Sequence, residues 1–153
     1  ARLQDTLFEG MSEDRCGTFP VEFGEAIPVG KNLNRIEVPF KVFVLEYNLE
    51  LLAKEEQTSE IKKITAITKK IIKALKNGDE LTKLRRAAFS VESYATRYTA
   101  LSAYYATYSL YHVADSVYYT ITYTTRTAKS AVHREERFEK FADKLLELMR
   151  NCK

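Results

Sequence analysis

Beyond Gly78 the chain has neither glycine nor proline; all five glycines and all three prolines of its 153 residues lie at or before that position. Residues 79–153 therefore lack the usual punctuators of the backbone, and tight glycine turns are not expected there. Cysteine is nearly missing too. Cys16 and Cys152 stand at opposite ends with no CxxC spacing, which excludes a disulfide framework or a cysteine zinc site and matches a reducing compartment. There are two histidines, no HExxH, no P-loop and no GxGxxG, so the common routes to zinc, nucleotide and dinucleotide chemistry are absent. No basic-then-apolar leader and no long apolar run is present; neither a secretion signal nor a membrane span is expected.

What is present suffices for one domain with a core, at 45% hydrophobic. Net charge is +3 but unevenly spread. Residues 1–60 hold 6 Lys+Arg against 12 Asp+Glu, and residues 61–153 hold 18 against 9. Such asymmetry either recruits an anionic partner to the basic part or lets the acidic front pack on the basic back.

Residues 1–39 carry four glycines, every proline and isolated apolar residues, among them Phe19 and Phe23. With no sustained 3.6-residue period they predict an extended arm, too apolar for a disordered tail, that docks on its own helices or on a neighbour. Residues 40–153 predict a helical domain. A first helix runs over about 40–55. A second begins with Thr58 or Ser59 as N-cap and sets Ile61, Ile64, Ile67, Ile71, Ile72 and Leu75 against a lysine face. Asn77 and Gly78 suit its C-cap, and Asp79 suits the cap of the next helix. An unbroken helix over the last 75 residues would reach about 110 Å, so a break is expected. The threonines of TITYTTRT, 120–127, are the first candidate and residues 112–116 the second.

Residues 94–119, YATRYTALSAYYATYSLYHVADSVYY, hold eight of the ten tyrosines. Positions 99, 103, 106, 110, 113, 117, 120, 124, 127 and 131 carry only Thr, Ala, Leu or Val, a seam that lets two helix backbones approach closely. Tyr94, Tyr98, Tyr105 and Tyr108 flank it along one row, and Tyr104, Tyr111 and Tyr118 along another. They read either as a wall over the seam or as a partner surface, since tyrosine is enriched in interface hot spots. A base-stacking platform needs interleaved basic residues, and Arg97 stands alone in that tract.

For chemistry, Ser109, His112, Asp115 and Ser116 share a helical face, but catalytic triads are assembled from separate elements with oxyanion donors nearby. His133, Glu136 and Arg137 form a charged turn without enough ligands for a metal. The chain therefore reads as a non-enzyme, with no cofactor. Arg126, Lys129, Arg137, Lys140 and Lys144 form a basic stripe on the closing helix, diluted by glutamates, that suits nucleic acid.

The tract RRAAFSVESYATRYTALSAYYATYSLYHVADSVYYTITYTTRTAKSAVHREERFEKFADKLLELM, residues 85–149, resembles a loose class of phage-encoded proteins with long Ala/Ser-rich helices, some labelled putative immunity proteins. The likeness covers the C-terminal half, with many alanines replaced here by Thr, Ser and Tyr. It implies a non-enzymatic helical protein of viral or mobile-element origin, and the expected location is host cytoplasm or virion. The combined expectation is an all-α bundle or hairpin with a small-residue seam and an extended N-terminal arm. Its role would be protein binding or assembly, with a protein partner or a second copy of itself, and nucleic acid the alternative ligand.

Overall fold

The computed structural model describes residues 2–32, 34–91, 93, 96–127 and 131–152; for 110, 123–127 and 131–133 only the backbone is described. Among the described residues all regular structure is helical. The helices are α1 (Arg2–Gly10), α2 (Glu13–Ala26), α3 (Asn34–Ala53), α4 (Ser59–Asn77), α5 (Thr82–Phe89), α6 (Arg97–Ala106), α7 (Val113–Thr127) and α8 (Ala131–Arg150), with a 3-10 turn at Leu110–His112 leading into α7.

The N-terminal stretch is helical, which corrects the expected extended arm. Phe19, Phe23 and Ala26 recur at the three- and four-residue steps of a helix face, and Leu7, Met11, Phe19 and Ala26 are buried. Pro20 lies inside α2 and Pro39 inside α3. A proline within a helix costs about 3 kcal/mol, and burying one large apolar side chain returns about 1.5–3 kcal/mol. With Phe19, Ile36 and Phe40 all buried, packing outweighs the local penalty. Ser12 caps α2 through the Arg15 N–H and also gives its hydroxyl to Glu139 Oε1 at 2.5 Å.

Helix α3 is the centre of the bundle. Ile36, Phe40 and Val44 face a core shared with α1, α2, α7 and α8, whereas Val42, Leu45 and Leu52 face a second shared with α4, α5 and α6. A helix buried on two sides is apolar nearly all round. Helix α4 follows its sequence signals: Thr58 accepts from the Ile61 N–H, and Gly78 ends it at φ 70°. Asp79 does not cap α5; Glu80 accepts from the Thr82 N–H at 2.9 Å instead.

The α-helix of the tyrosine-rich region is interrupted over residues 107–112, ahead of the first expected position and reaching the second at His112. Residues 120–127 are part of α7. Thr120 and Thr122 give their hydroxyls to the carbonyls of Ser116 and Tyr118, four residues back, at 3.0 and 2.8 Å; this satisfies the hydroxyls inside the helix instead of ending it. The chain turns where two distant cations meet its carbonyls. Arg85 of α5 donates to Thr107 O at 2.7 Å and Thr107 Oγ1 at 2.9 Å, and Lys41 of α3 donates to Tyr108 O. Cations suit the orphan carbonyls and negative dipole end of a helix C-terminus.

The turn folds the small-residue seam onto itself. Helices α6 and α7 make the most extensive helix pair among the described residues, with Thr99, Ala103, Ala106, Val113, Val117 and Thr120 all buried. Ser102, Ser116 and Thr120 form a hydroxyl cluster between them, 2.7 and 3.1 Å apart about Ser102, and Asn48 of α3 donates to Ser102 Oγ at 2.8 Å. Ser116 and Thr120 give their own protons to the carbonyls of Ser102 and Ser116, so all three hydroxyls are hydrogen-bonded in the interior, whereas Asn48 Oδ1 is buried without a hydrogen-bond partner.

Candidate functional site

The α6–α7 hairpin carries a continuous network of aromatic rings on its outer side. Tyr105 of α6 stacks on Tyr119 of α7, centroids 5.5 Å apart and planes 5° from parallel. Tyr98 also stacks with Tyr119 at 6.2 Å, and Tyr118 and Tyr119 meet edge-on at 5.4 Å. In the other direction Tyr104 packs on Tyr105 and Tyr108, each at 5.1 Å, and its hydroxyl bonds that of Tyr108 at 2.7 Å. Phe89 of α5 extends the network past Tyr104 at 5.1 Å, while His112 links Tyr105 to Tyr111. Offset and edge-on aromatic pairs add about 0.5–1.5 kcal/mol each beyond the area they bury.

Three arginines border the network. Arg85 lies 4.0 Å over the Tyr108 ring and Arg2 4.8 Å over Tyr111, and Arg97 acts electrostatically on Tyr119. Arg2 also pairs with Asp115 at 2.7 Å. Burial, then the neighbouring Tyr105, Asp115 and Tyr118, push the Tyr119 phenol above its ordinary value, with Arg97 opposing. The hydrogen bond to Tyr108, then burial, raises that of Tyr104.

Of the tyrosines expected at an interface, Tyr98, Tyr105 and Tyr108 are half-buried in the network and form its wall. Tyr111 and Tyr118 are 64% and 49% exposed, and Phe89 is 66% exposed. Tyr94 lies outside the described residues. Phe19 is fully buried and Phe23 half-buried, their rings 5.9 Å apart in the α2 core contact; they serve this chain's own packing. The sequence reading passed over Tyr119 and Phe89, because their contacts exist only once α7 folds back on α6 and α5 packs beside it.

The described part of the basic stripe, Arg137, Lys140 and Lys144, lies along the aromatic residues of α3. Lys140 sits 5.0 Å over Tyr47 and Lys144 5.5 Å over Phe43, where the aromatic faces of α3 hold the ammonium groups. Arg137 is half-buried, its Nη1 buried without a hydrogen-bond partner. Lys129 and the side chain of Arg126 lie outside the described residues. The ion pairs that cross from the acidic front to the basic back run in both senses: Glu46 meets Lys76 at 3.8 Å as expected, whereas Arg2 meets Asp115 and Arg15 meets Asp143, both at 2.7 Å.

His112 Nδ1 lies 3.2 Å from Asp115 Oδ2. Ser116 is buried and gives its hydroxyl proton to Ser102 O at 2.8 Å, so that proton is committed to the backbone. Cys16 and Cys152 are free thiols. Among the described residues no three His, Cys, Asp or Glu side chains converge to hold a metal, and no helix is long and apolar enough to cross a membrane.

Fold and site together define an all-α bundle with an aromatic face on a close-packed helical hairpin. No family model matches the chain, and searches of curated proteins and of solved structures gave no match either.

Proposed function

We propose that this chain is a non-enzymatic protein-binding and assembly module of phage type, a virion-associated component or an inhibitor of a host factor. The contact surface in this reading is the aromatic face of the α6–α7 hairpin. The observation that carries it is the exposure of Tyr111, Tyr118 and Phe89 at the margins of a ring network whose interior members are packed against one another. Rings already held in place lose little side-chain freedom when a partner covers them, and tyrosine offers both apolar area and a hydroxyl. The alternative of base stacking is less well supported. Tyr105 and Tyr119 spend their faces on each other, and Arg2 and Arg85 are engaged by Asp115 and the Thr107 carbonyl.

Light scattering over a range of concentrations and salt tests the reading, because the first partner available in a purified sample is a second copy. The expected result is a defined oligomer that is insensitive to salt and falls to protomer mass in the triple variant Phe89→Ala, Tyr111→Ala, Tyr118→Ala with its helical circular dichroism retained. A wild-type chain that stays at protomer mass throughout removes self-assembly, and equal masses for the two proteins remove the aromatic face.

A further inference from the structure

Helix α4 is amphipathic in an unusual way for a surface helix. Its inner side buries Ile61, Ile64, Ile67, Ile71, Ile72 and Leu75. Its outer side exposes Lys62, Lys63, Lys69, Lys70, Lys73 and Lys76, with Glu60 the single acid of the helix. Six cations against one anion give this one helix +5, more than the +3 of the whole chain. Lys76 reaches Glu46 at 3.8 Å; the other five have no carboxylate within ion-pairing distance among the described residues.

The helix dipole explains only part of this. Lys73 and Lys76 lie near the negative C-terminal end, where cations are favoured, but Lys62 and Lys63 lie close to the positive N-terminal end, where they oppose the dipole. The clustering thus runs against the local stability of the helix, and such conflicts concentrate where a surface serves a ligand.

We propose that the outer face of α4 binds the phosphate backbone of a nucleic-acid duplex, without reading its bases. Lys62, Lys69, Lys73 and Lys76 follow one side of the helix with rises of about 10, 6 and 4.5 Å between them, and a duplex offers one negative charge per about 1.7 Å of its axis. Ammonium groups on flexible stems act as point charges, suited to phosphates of any sequence. A protein partner fits less well: lysine is depleted at protein interfaces, and none of the exposed large hydrophobic residues lies on α4. A membrane surface fits less well for a related reason, since the apolar side that would enter the interface is committed to the core.

Fluorescence anisotropy with a labelled DNA duplex of arbitrary sequence, titrated at several salt concentrations, tests this independently of the aromatic face. With about four phosphates engaged, log K should fall against log salt with a slope of about −4. The variant Lys62→Gln, Lys69→Gln, Lys70→Gln, Lys73→Gln should bind at least about tenfold more weakly with a shallower slope, while the same four changed to Arg should retain binding. The substitutions are exposed and leave the buried face untouched, so circular dichroism should be unchanged. Unaltered affinity in the glutamine variant, salt-insensitive binding, competition by polyglutamate as strong as by duplex, or binding to phosphatidylserine vesicles without binding to duplex would each overturn the proposal.

Discussion

Gly10 shows how much one position can depend on a residue far along the chain. A Cβ placed there would come within 2.2 Å of ring atoms of Phe138, and that ring is buried. Glycine in a helix is worse than alanine by about 0.5–1 kcal/mol, so local propensity alone favours Gly10→Ala. The close approach of α1 to α8 reverses the sign: the substitution should destabilise the protein by about 1–3 kcal/mol, the usual cost of overpacking. Urea unfolding of the two proteins measures it, and a stabilised variant would mean that Phe138 swings aside. Lys41 presents the same dependence in polar form. At 4% exposure it would be an expensive charge, yet Glu37 Oε1 at 2.7 Å and the Tyr108 carbonyl receive it. By contrast Thr58 and Gly78 act on their own neighbours, and both caps are legible from a few residues of sequence.

Among the elements, the small-residue composition of α6 and α7 announced a close helix pair, and the pair exists. Its partner, its turn and the arrangement of its tyrosines were not legible. Rows drawn on one continuous helix put Tyr105 in line with Tyr108, whereas the folded hairpin stacks it on Tyr119. The network has a consequence in alkali. Tyr104 and Tyr119 have phenols raised above the ordinary value of 10.0, so the folded state holds protons there that the unfolded chain releases. Their contribution is fully present below about pH 10 and is lost as pH rises through the folded values. Denaturant unfolding across that window should show stability falling with pH, and a titration of phenolate absorbance should show a late-ionising fraction. If all tyrosines ionise together near the free value, the packed network is not maintained in solution.

For the whole molecule, the N-terminal residues change role most. Leu7 and Phe19 are fully buried in the core that includes Phe138, Phe141 and Leu146, and Arg2 and Arg15 bridge to Asp115 and Asp143. A docked arm could be removed without harm to the helices, but α1 and α2 belong to the bundle. Deleting residues 1–26 should lower the melting temperature and reduce ellipticity beyond the share of the two helices removed, because burying Leu7 and Phe19 alone contributes about 1.5–3 kcal/mol each. A truncated chain that melts like the full one would return these helices to the status of an appendage.

The sequence by itself determined that the residues beyond the front of the chain are helical, where α4 begins and ends, which of its faces is apolar, and that residues 94–131 contain a seam too small for interlocking leucines. Each follows from side-chain spacing and capping within a turn or two, where the causes lie next to their effects. Only the tertiary structure decided that residues 2–26 fold as helices despite Pro20, that the chain turns at residues 107–109, and which tyrosines meet. The turn is held by Arg85 and by Lys41, the latter from 67 residues away. The α2 helix is held by burial against α8 that no window of its own sequence contains. A break or a helix that depends on partners so remote leaves no local pattern to read, because the free energy that stabilises it belongs to the assembled bundle.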